Sequence, residues 1–307
     1  NALQDLGRLD KAIETFKKAV SINANYDDAY NNLGVTLLKK GLSTEAIEMF
    51  SKSLNIKPNN KAALYNIGNA LKFIRFSKSN KNTQDLISNI LDYGQMVRPK
   101  DISPAALSLL KFEPAIKDLL NFNSETNVTN SLENLLSKLS NLTLFIKLLN
   151  MCPIAEIEFE EALTNIRSKI LASVSEISGC SNVLPFQSAL ALQCFTNEYI
   201  YNETSDDKVR LKKVEKSVVK LLAKGKQPSS QAVLCLASFK PLHEYEWCEK
   251  LSIYNEIKEV LKRQFVEPKT EEILKSEIQV LDKIKDDVSS QVRSQYEENP
   301  YPRWVNL

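Results

Sequence analysis

Apolar and polar residues alternate along most of this chain with the period of an α-helix. Two stretches show the pattern well, with apolar residues three or four positions apart: Leu132, Leu135, Leu136 and Leu139, then Leu163, Ile166, Ile170, Val174 and Ile177. This spacing places apolar side chains on one helix face, whereas a half-buried strand would alternate at every second residue. No sustained alternation of that second kind is found, so the pattern predicts an all-α fold.

Three further segments carry helix signals of different kinds. Ser103-Pro104 is typical of a helix N-cap followed by a proline in the first turn. Residues 183–201 are almost entirely apolar, which predicts a central helix that is buried on all sides. Residues 208–226 combine an apolar stripe with a lysine-rich face and therefore predict an amphipathic surface helix.

The first 94 residues repeat with a period of 34. Gly7 aligns with Gly41, and Gly34 aligns with Gly68. A fixed period of this size is the mark of stacked helical hairpins. Residues 27–60 resemble the tetratricopeptide repeat (TPR) pattern. The residues that carry this resemblance are Tyr30, Leu33, Gly34, Leu37, Ala46, Phe50 and Pro58.

These residue types suit the packing of such a hairpin. Gly34 and Ala46 are small where two antiparallel helices must approach closely, and Phe50 fills the space between them. Pro58 cannot continue the second helix. We therefore predict a TPR helical-hairpin solenoid at the N-terminus, followed by an α-helical domain.

The resemblance also predicts where the repeats begin and end. We expect a partial repeat at residues 1–26, a full repeat at 27–60 and a degenerate repeat at 61–94. A polar loop in the last repeat delays its second helix to about Thr83–Gly94. A helical middle domain is expected over residues 95–290.

The first helices of TPR hairpins line the concave side of an array, where ligands bind. Asn32 and Asn66 occupy the same repeat position, and Asn69 lies one turn further along the same face. An amide both donates and accepts, so these asparagines are a candidate ladder for the backbone of an extended peptide. The alternative is that they are simply solvated, because asparagine is frequent throughout the chain.

The composition is poor in residues that catalysis often uses. Only 7 of the 307 residues are glycine, whereas average usage would give roughly 21. Neither of the common phosphate-binding glycine motifs is present. The single histidine, His243, excludes a site built from several histidines. We therefore expect neither a catalytic centre nor a metal site within these residues.

Charge and cysteine usage suggest a cytoplasmic protein. The chain has 40 basic and 38 acidic residues, a balance that speaks against nucleic acid as a partner. Five cysteines without C-x-x-C spacing are expected to be reduced thiols: Cys152, Cys180, Cys194, Cys235 and Cys248. No apolar run reaches 18 residues and no signal peptide is visible, so no membrane partner is expected.

Four segments together resemble the signature of one family. They are Leu184–Phe186 (Leu-Pro-Phe), Gln193–Tyr199 (Gln-Cys-Phe-Thr-Asn-Glu-Tyr), Ala237–Glu244 (Ala-Ser-Phe-Lys-Pro-Leu-His-Glu) and Gln295–Trp304 (Gln-Tyr-Glu-Glu-Asn-Pro-Tyr-Pro-Arg-Trp). The family is that of bacterial TPR proteins with a class I methyltransferase domain dependent on S-adenosylmethionine (SAM). The signature residues are Gln193, Cys194, Asn197, Glu198, Tyr199, His243, Tyr296, Asn299, Tyr301, Arg303 and Trp304.

In that family the Pro-Arg-Trp run leads into the methyltransferase domain, whose glycine-rich loop holds SAM. The resemblance therefore implies that residues 291–307 form an extended Pro/Tyr/Trp segment before such a domain. No cofactor is expected in the residues at hand, because SAM would bind beyond Leu307. The implied partners are the chain's own methyltransferase domain and a protein or peptide on the TPR face. The sequence after Leu307 is the observation that would decide this point.

Each candidate residue also has a structural alternative. Residues 193–199 could form a hinge or a wall beside a catalytic domain, or they could belong to a core helix whose polar groups satisfy neighbouring backbone. His243 could move a proton, or it could pack and hydrogen-bond locally. The lysine-rich face of residues 208–226 could dock an acidic partner or nucleic acid, or it could simply be solvated.

Three functions stay open at the level of sequence. The leading hypothesis is a protein- or peptide-binding TPR scaffold region of a SAM-dependent methyltransferase-like protein, itself non-catalytic. The second is a stand-alone TPR adaptor without an enzymatic parent. The third is the TPR region of a glycosyltransferase-type protein, because such enzymes also carry asparagine-bearing arrays. The signature segments argue against the third.

Overall fold

The computed structural model describes residues 8–93, 97–122, 129–252 and 255–277, with the single positions 291 and 294. Regular structure in these residues is helical throughout, which confirms the predicted fold class. The α-helices are α1 Leu9–Ile22, α2 Asp27–Lys39, α3 Ser43–Ile56, α4 Lys61–Leu71, α5 Lys81–Asp92, α6 Pro99–Leu110, α7 Pro114–Leu120, α8 Thr129–Ser140, α9 Thr143–Met151, α10 Ile157–Ala172, α11 Leu184–Thr196, α12 Ser205–Leu222, α13 Ser230–Ala237, α14 Lys258–Leu261 and α15 Glu267–Glu277.

Shorter helical turns join some of these elements. A π-helix connects α14 to α15 at Lys262–Val266. The 3₁₀ turns are Ser181–Val183, Leu242–Glu244, Glu246–Lys250 and Asn255–Ile257. No helix of the described residues has both the length and the apolar character needed to cross a bilayer.

The described residues form two compact units. The first comprises the described residues up to Lys117 together with Thr143–Leu148, and the second comprises Asp118–Leu142 and the described residues from Leu149 onward. The predicted domain boundaries at residues 1–94, 95–290 and 291–307 stay predictions.

In the first unit, α2 and α3 form the hairpin of the full repeat. A methyl group added at Gly34 would lie 2.6 Å from Cε1 of Phe50, whose side chain is fully buried. The predicted close approach of the two helices at this glycine is therefore confirmed. At Gly68, in the degenerate repeat, the added methyl group would instead meet Val97, at 2.5 Å from Cγ2.

The second helix of the degenerate repeat starts slightly earlier than predicted. It is α5, which begins at Lys81 because the Asn80 side chain caps it, accepting a hydrogen bond from the Thr83 backbone N–H at 3.1 Å. An asparagine side chain at this position satisfies a backbone donor that the first turn leaves unpaired. The polar loop therefore ends in a helix cap, which fixes where the repeat resumes.

The prediction that Ser103-Pro104 opens a helix is wrong. α6 begins five residues earlier than predicted, at Pro99, after the extended backbone of Arg98. A proline at the first helical position costs nothing, because its missing N–H would be unpaired there. Pro104 lies inside α6 and removes one hydrogen bond of its second turn. The first of two prolines in this stretch takes the starting position.

The core of the second unit is built around α11. Phe186, Leu190 and Cys194 of this helix are all fully buried or nearly so. Helices α12, α13 and α14 pack apolar side chains against it in one cluster that includes Val218, Leu234 and Val260. The predicted central buried helix is confirmed over residues 184–196.

Candidate functional site

The outward faces of α2 and α4 carry the predicted ligand-binding residues of the repeats. We define the first-helix face as the side chains Asn32, Val35, Leu38, Tyr65, Asn66, Asn69 and Phe73. Asn32, Asn66 and Asn69 are each half-buried there. Val35 and Asn69 are one repeat apart, as are Asn32 and Asn66, so the face repeats with the hairpins. This arrangement follows the predicted ladder in position, while its role in binding stays a prediction.

Asn66 also makes a contact that the sequence did not indicate. Its amide Nδ2 donates to Oδ1 of Asn31 at 2.9 Å, and Asn31 is buried. The hydrogen bond therefore links consecutive repeats through neighbouring positions rather than through Asn32. A second amide does the same nearby, since Nδ2 of Asn60 donates to Asp27 at 2.9 Å. Part of the asparagine content thus holds the hairpins in register.

Two aromatic side chains on the first-helix face are left in solvent. Tyr65 is 58% exposed and Phe73 is 87% exposed. Tyr65 and Asn69 are four residues apart along one side of α4, whereas Phe73 lies in the turn after the helix ends at Leu71. The predicted asparagine is therefore flanked in sequence by two exposed rings. Sequence reasoning missed these rings because it assigned to aromatic residues of the repeat a place between helices.

The signature segment Gln193–Tyr199 forms the end of α11. The predicted helix over 183–201 is wrong at its C-terminal end, because α11 stops at Thr196. The next residues form what we term the signature turn, Asn197–Tyr199. Glu198 and Tyr199 both adopt left-handed backbone conformations, with φ of 59° and 58°. Cys194, Asn197 and Tyr201 therefore do not continue along one helix face.

Hydrogen bonds explain why the signature turn ends the helix. The backbone N–H of Tyr199 donates to the carbonyl of Cys194 at 2.8 Å, and that of Glu198 donates to Phe195 at 3.3 Å. This pair of bonds is the Schellman helix ending, which usually places glycine where Glu198 stands. The Asn197 side chain accepts a further bond from the Tyr199 N–H at 3.2 Å. The asparagine of the signature thus supports a strained turn.

The same ending occurs at two other helices with the usual residue. Gly41 follows α2 with φ of 82°, and Gly225 follows α12 with φ of 69°. A left-handed conformation costs an ordinary L-residue roughly 1–2 kcal/mol, a cost that glycine avoids. Glu198 and Tyr199 bear this cost within a segment that resembles a family signature. Backbone strain of this kind concentrates at functional positions.

Gln193 joins α11 to the chain after α9. Its fully buried amide donates to the carbonyls of Cys152 and Leu149 at 3.0 and 3.1 Å, and accepts from the Ile154 N–H at 2.8 Å. All three partners are backbone groups outside helical ladders or at a helix end. These hydrogen bonds of Gln193 fit the structural alternative, in which a polar core residue pairs with neighbouring backbone.

Cys194 is a buried thiol rather than a reactive one. Burial raises its pKa to about 12, although the nearby Arg167 guanidinium opposes that rise. Burial likewise raises the pKa of Cys235 to about 12. The cysteines of the described residues are free thiols. A thiol with so high a pKa supplies almost no thiolate at neutral pH, so neither side chain is suited to nucleophilic chemistry.

The buried cation Arg167 is the main residue that sequence reasoning missed. Its side chain is 1% exposed and donates to the carbonyls of Ser238, Tyr201 and Asn202 at 3.2, 3.0 and 2.9 Å. Its guanidinium also lies 4.1 Å from the ring centre of Phe239. A charge on the apolar stripe of α10, four residues after Leu163, was the available signal.

Arg167 and the signature turn meet at the C-terminal end of α13. The Tyr199 hydroxyl donates to the carbonyl of Ala237 at 3.1 Å, and Arg167 donates to the next carbonyl, that of Ser238. Helix C-termini leave carbonyls unpaired and carry partial negative charge, so a cation and a hydroxyl donor both stabilise this end. Two signature segments, 193–199 and 237–244, are thereby brought together.

His243 lies in the 3₁₀ turn Leu242–Glu244 and is exposed. Its Nδ1 is 3.1 Å from the backbone carbonyl oxygen of Gln264, so Nδ1 carries the proton and donates. The buried Gln264 side chain in turn donates to Ala191 and Ala237 at 2.9 and 3.1 Å. The structure therefore places a backbone carbonyl, and no acid–base partner, on Nδ1 of His243.

The remaining signature residues lie outside the described residues. They are Tyr296, Asn299, Tyr301, Arg303 and Trp304. Across the part of the chain that the structure describes, no group of three His, Cys, Asp or Glu side chains is placed to hold a metal ion.

Comparison with known proteins supports the repeat assignment. Residues 1–41 match the family model described as TPR repeat, and residues 27–60 match the model described as tetratricopeptide repeat. No curated protein matches this chain significantly. The N-terminal repeats are therefore TPR repeats of the kind that mediates protein–protein interaction, and the comparisons extend over the first 60 residues.

Proposed function

We propose that this chain is a non-catalytic scaffold region that binds a protein or peptide through the first-helix face of its TPR repeats. The observation that carries the proposal is that Asn69 on α4 is flanked in sequence by two exposed aromatic side chains, Tyr65 on the same helix and Phe73 in the turn that follows it. Aromatic rings supply apolar contact area, and an amide can bond to a peptide backbone. A peptide with apolar side chains in an extended conformation fits this arrangement.

The apolar side chains of the first-helix face favour a ligand with apolar groups over a purely polar one. Val35 and Leu38 are half-buried on α2 and extend the apolar surface next to the asparagines. The asparagines would then select extended backbone, and the apolar side chains would select the ligand sequence. Asn66 contributes less in this proposal, because its amide N–H already bonds to Asn31.

We further propose that the parent protein is a SAM-dependent methyltransferase of the bacterial cytoplasm, whose catalytic domain binds the cofactor. The support is the family signature, and the meeting of its segments 193–199 and 237–244 at the end of α13 is consistent with one structural unit. In this proposal the second unit connects ligand recognition to the catalytic domain. The signature turn, with its two strained residues, is the candidate contact.

A peptide library displayed on phage tests the binding face. Peptides selected on the full chain are synthesised, and their affinity is measured by calorimetry for the wild type and for the Tyr65→Ala/Phe73→Ala variant. We expect a loss of about tenfold or more, since each truncation removes a large exposed ring. The matched control is Ile22→Ala, which removes an 86% exposed apolar side chain at the end of α1. Equal affinity in all three proteins would refute the proposed face.

A separate titration tests whether SAM binds to this chain or only to the proposed catalytic domain. SAM added to this chain in a calorimeter should give no binding heat, because the proposal assigns the cofactor to another domain. Measurable affinity would contradict that assignment and would leave the peptide-binding result untouched.

A further inference from the structure

The exposed side of α12, continued by Lys224 and Lys226 beyond its end, is strongly basic. Residues 208–226 contain eight basic side chains against one carboxylate, Glu215, and all eight are exposed: Lys208, Arg210, Lys212, Lys213, Lys216, Lys220, Lys224 and Lys226. None of them forms an ion pair with a carboxylate of the described residues, whereas Lys18 and Lys81 pair with acids one helical turn away. Charge on this face is therefore left uncompensated within the described structure.

Four of these lysines recur at every fourth residue, and we term them the lysine row: Lys208, Lys212, Lys216 and Lys220. Each step of four residues turns by about 40° around the helix, so the row winds gradually across its exposed side. Residues four apart on a helix are about 6 Å apart along its axis, so the row spans about 18 Å. Like charges at this spacing destabilise a helix. The row is thus unfavourable for the isolated helix, and an anionic partner would remove that repulsion.

The lysine row is held on a firm support. On the opposite side of α12, Val218 is 1% exposed, and Leu211, Val214 and Leu222 pack against the core of the second unit. A reciprocal capping box between Thr204 and Asp207 fixes the start of the helix. The face is therefore preorganised, which lowers the conformational cost of binding.

Apolar side chains beside the lysine row narrow the choice of partner. Val209 is 53% exposed and Val219 is 45% exposed. The phosphate backbone of a nucleic acid has no apolar groups for these valines to contact. The bases of single strands stack on aromatic rings or on arginine, and this face has one arginine. Carboxylates interspersed with apolar side chains would match both features of the surface.

We propose that the outer face of α12 docks an acidic, amphipathic helix of a partner protein. Carboxylates four residues apart on that helix would have the same 6 Å spacing as the lysine row, and its apolar residues would cover Val209 and Val219. This surface belongs to the second unit and is independent of the first-helix face. The net charge of +2 for the whole chain does not reveal this basic surface, because acidic residues elsewhere balance its positive charges.

Fluorescence anisotropy with the full chain tests the proposal. The probe is a labelled synthetic peptide of 16 residues in which glutamate recurs every fourth position beside leucine. The test variant replaces Lys208, Lys212, Lys216 and Lys220 by glutamine, which keeps helix propensity. The control variant replaces four exposed lysines of the first unit, Lys11, Lys17, Lys61 and Lys78, by glutamine.

We expect binding of the probe to weaken about tenfold in the test variant, from the loss of four exposed charge pairs, and to stay unchanged in the control. Binding should also weaken as salt is added, because exposed charges are screened. Circular dichroism of both variants verifies that they fold. Equal binding by test and control variants would overturn the proposal.

A second pair of measurements separates this partner from other polyanions. Val209→Ala/Val219→Ala should weaken binding of the peptide. A 20-base-pair DNA duplex and phosphatidylserine vesicles should bind more weakly than the peptide. Tighter binding of either one through the lysine row, or indifference of the peptide to the valine replacements, would overturn the assignment of an amphipathic protein segment.

Discussion

Replacing Gly34 by alanine tests how the TPR hairpin is built. The added methyl carbon would lie 2.6 Å from Cε1 and 2.8 Å from Cδ1 of Phe50. Carbon atoms of separate groups ordinarily approach to about 3.5–4.0 Å, so the overlap with the ring is roughly 1 Å. Phe50 is fully buried, so its ring cannot relieve the overlap by turning out into solvent.

Two opposing contributions set the change in the free energy of unfolding. Alanine in a helix interior is more favourable than glycine by about 0.8–1.0 kcal/mol. Overpacking a well-packed core costs about 1–3 kcal/mol. The difference predicts a net destabilisation of about 1 kcal/mol. Helix propensity alone would predict a stabilisation. The sign of the measured change in the free energy of unfolding therefore shows which of the two contributions is larger.

Native-state hydrogen exchange is the suitable assay. Amides of α3 report the free energy of opening the hairpin itself, whereas a single unfolding curve for a chain of two compact units need not follow two states. Phe50→Leu provides the matched background, because it removes the ring atoms that the methyl group would meet. In that background Gly34→Ala should be neutral or stabilising. The double-mutant cycle should therefore give a coupling of about 1–2 kcal/mol.

Slower exchange of the α3 amides after Gly34→Ala in the wild-type background would refute this prediction. An equal effect of the substitution with and without the Phe50 ring would refute it as well. Either result would mean that the two helices have room at this position.

Three further predictions concern the second unit. Glu198→Gly should raise its free energy of unfolding by about 1 kcal/mol, because glycine relieves left-handed strain at a helix end; a lower denaturation midpoint by tryptophan fluorescence would contradict this. Burial raises the pKa of Cys194 to about 12, so the stability it contributes is complete below pH 9 and is lost as the pH rises towards 12, by up to about 1.4 kcal/mol per pH unit. Cys194→Ala should flatten that alkaline loss, and an unchanged profile would exclude the thiol as its cause. Burial would raise the pKa of Asp207, but hydrogen bonds from Ser168 and Thr204 hold it below its ordinary value. The ionised Asp207 therefore stabilises the folded state above the ordinary pKa of a carboxyl group. This stabilisation is lost as the pH falls through the lowered pKa of Asp207. Asp207→Ala should cost about 1–3 kcal/mol at pH 7 and much less in acid, and a cost independent of pH would contradict the role of its charge.

Short-range patterns explain what could be predicted from sequence. The repeat, its hairpins and the contact between Gly34 and Phe50 follow from a 34-residue period and from residue size, both of which are visible in the chain. The amphipathic lysine-rich helix was likewise predicted, and the structure places it at Ser205–Leu222. In each case residues close in sequence, within one repeat or one helix, determine the result.

Features that depend on distant parts of the chain could not be predicted in this way. The end of α11 carries neither glycine nor proline, so the apolar pattern predicts a helix that continues through the signature turn. Three backbone carbonyls decide the role of Arg167, and these lie 34, 35 and 71 residues away in sequence. The bond between Asn31 and Asn66 likewise depends on how consecutive hairpins stack.

The π-helix at Lys262–Val266 has a consequence for the helix that follows it. Arg263 and Gln264 are both buried although they are adjacent; Arg263 donates to the Asn150 carbonyl at 2.7 Å, and Gln264 reaches Ala191 and Ala237. One widened turn accommodates one residue more than an α-helical turn does. Rewinding the same residues as regular α-helix would rotate all of α15 by about 100° relative to α14, whereas deleting one residue at the same time would leave that rotation nearly unchanged. The orientation of α15 therefore depends on the widened turn that holds the extra residue, as well as on its own side chains.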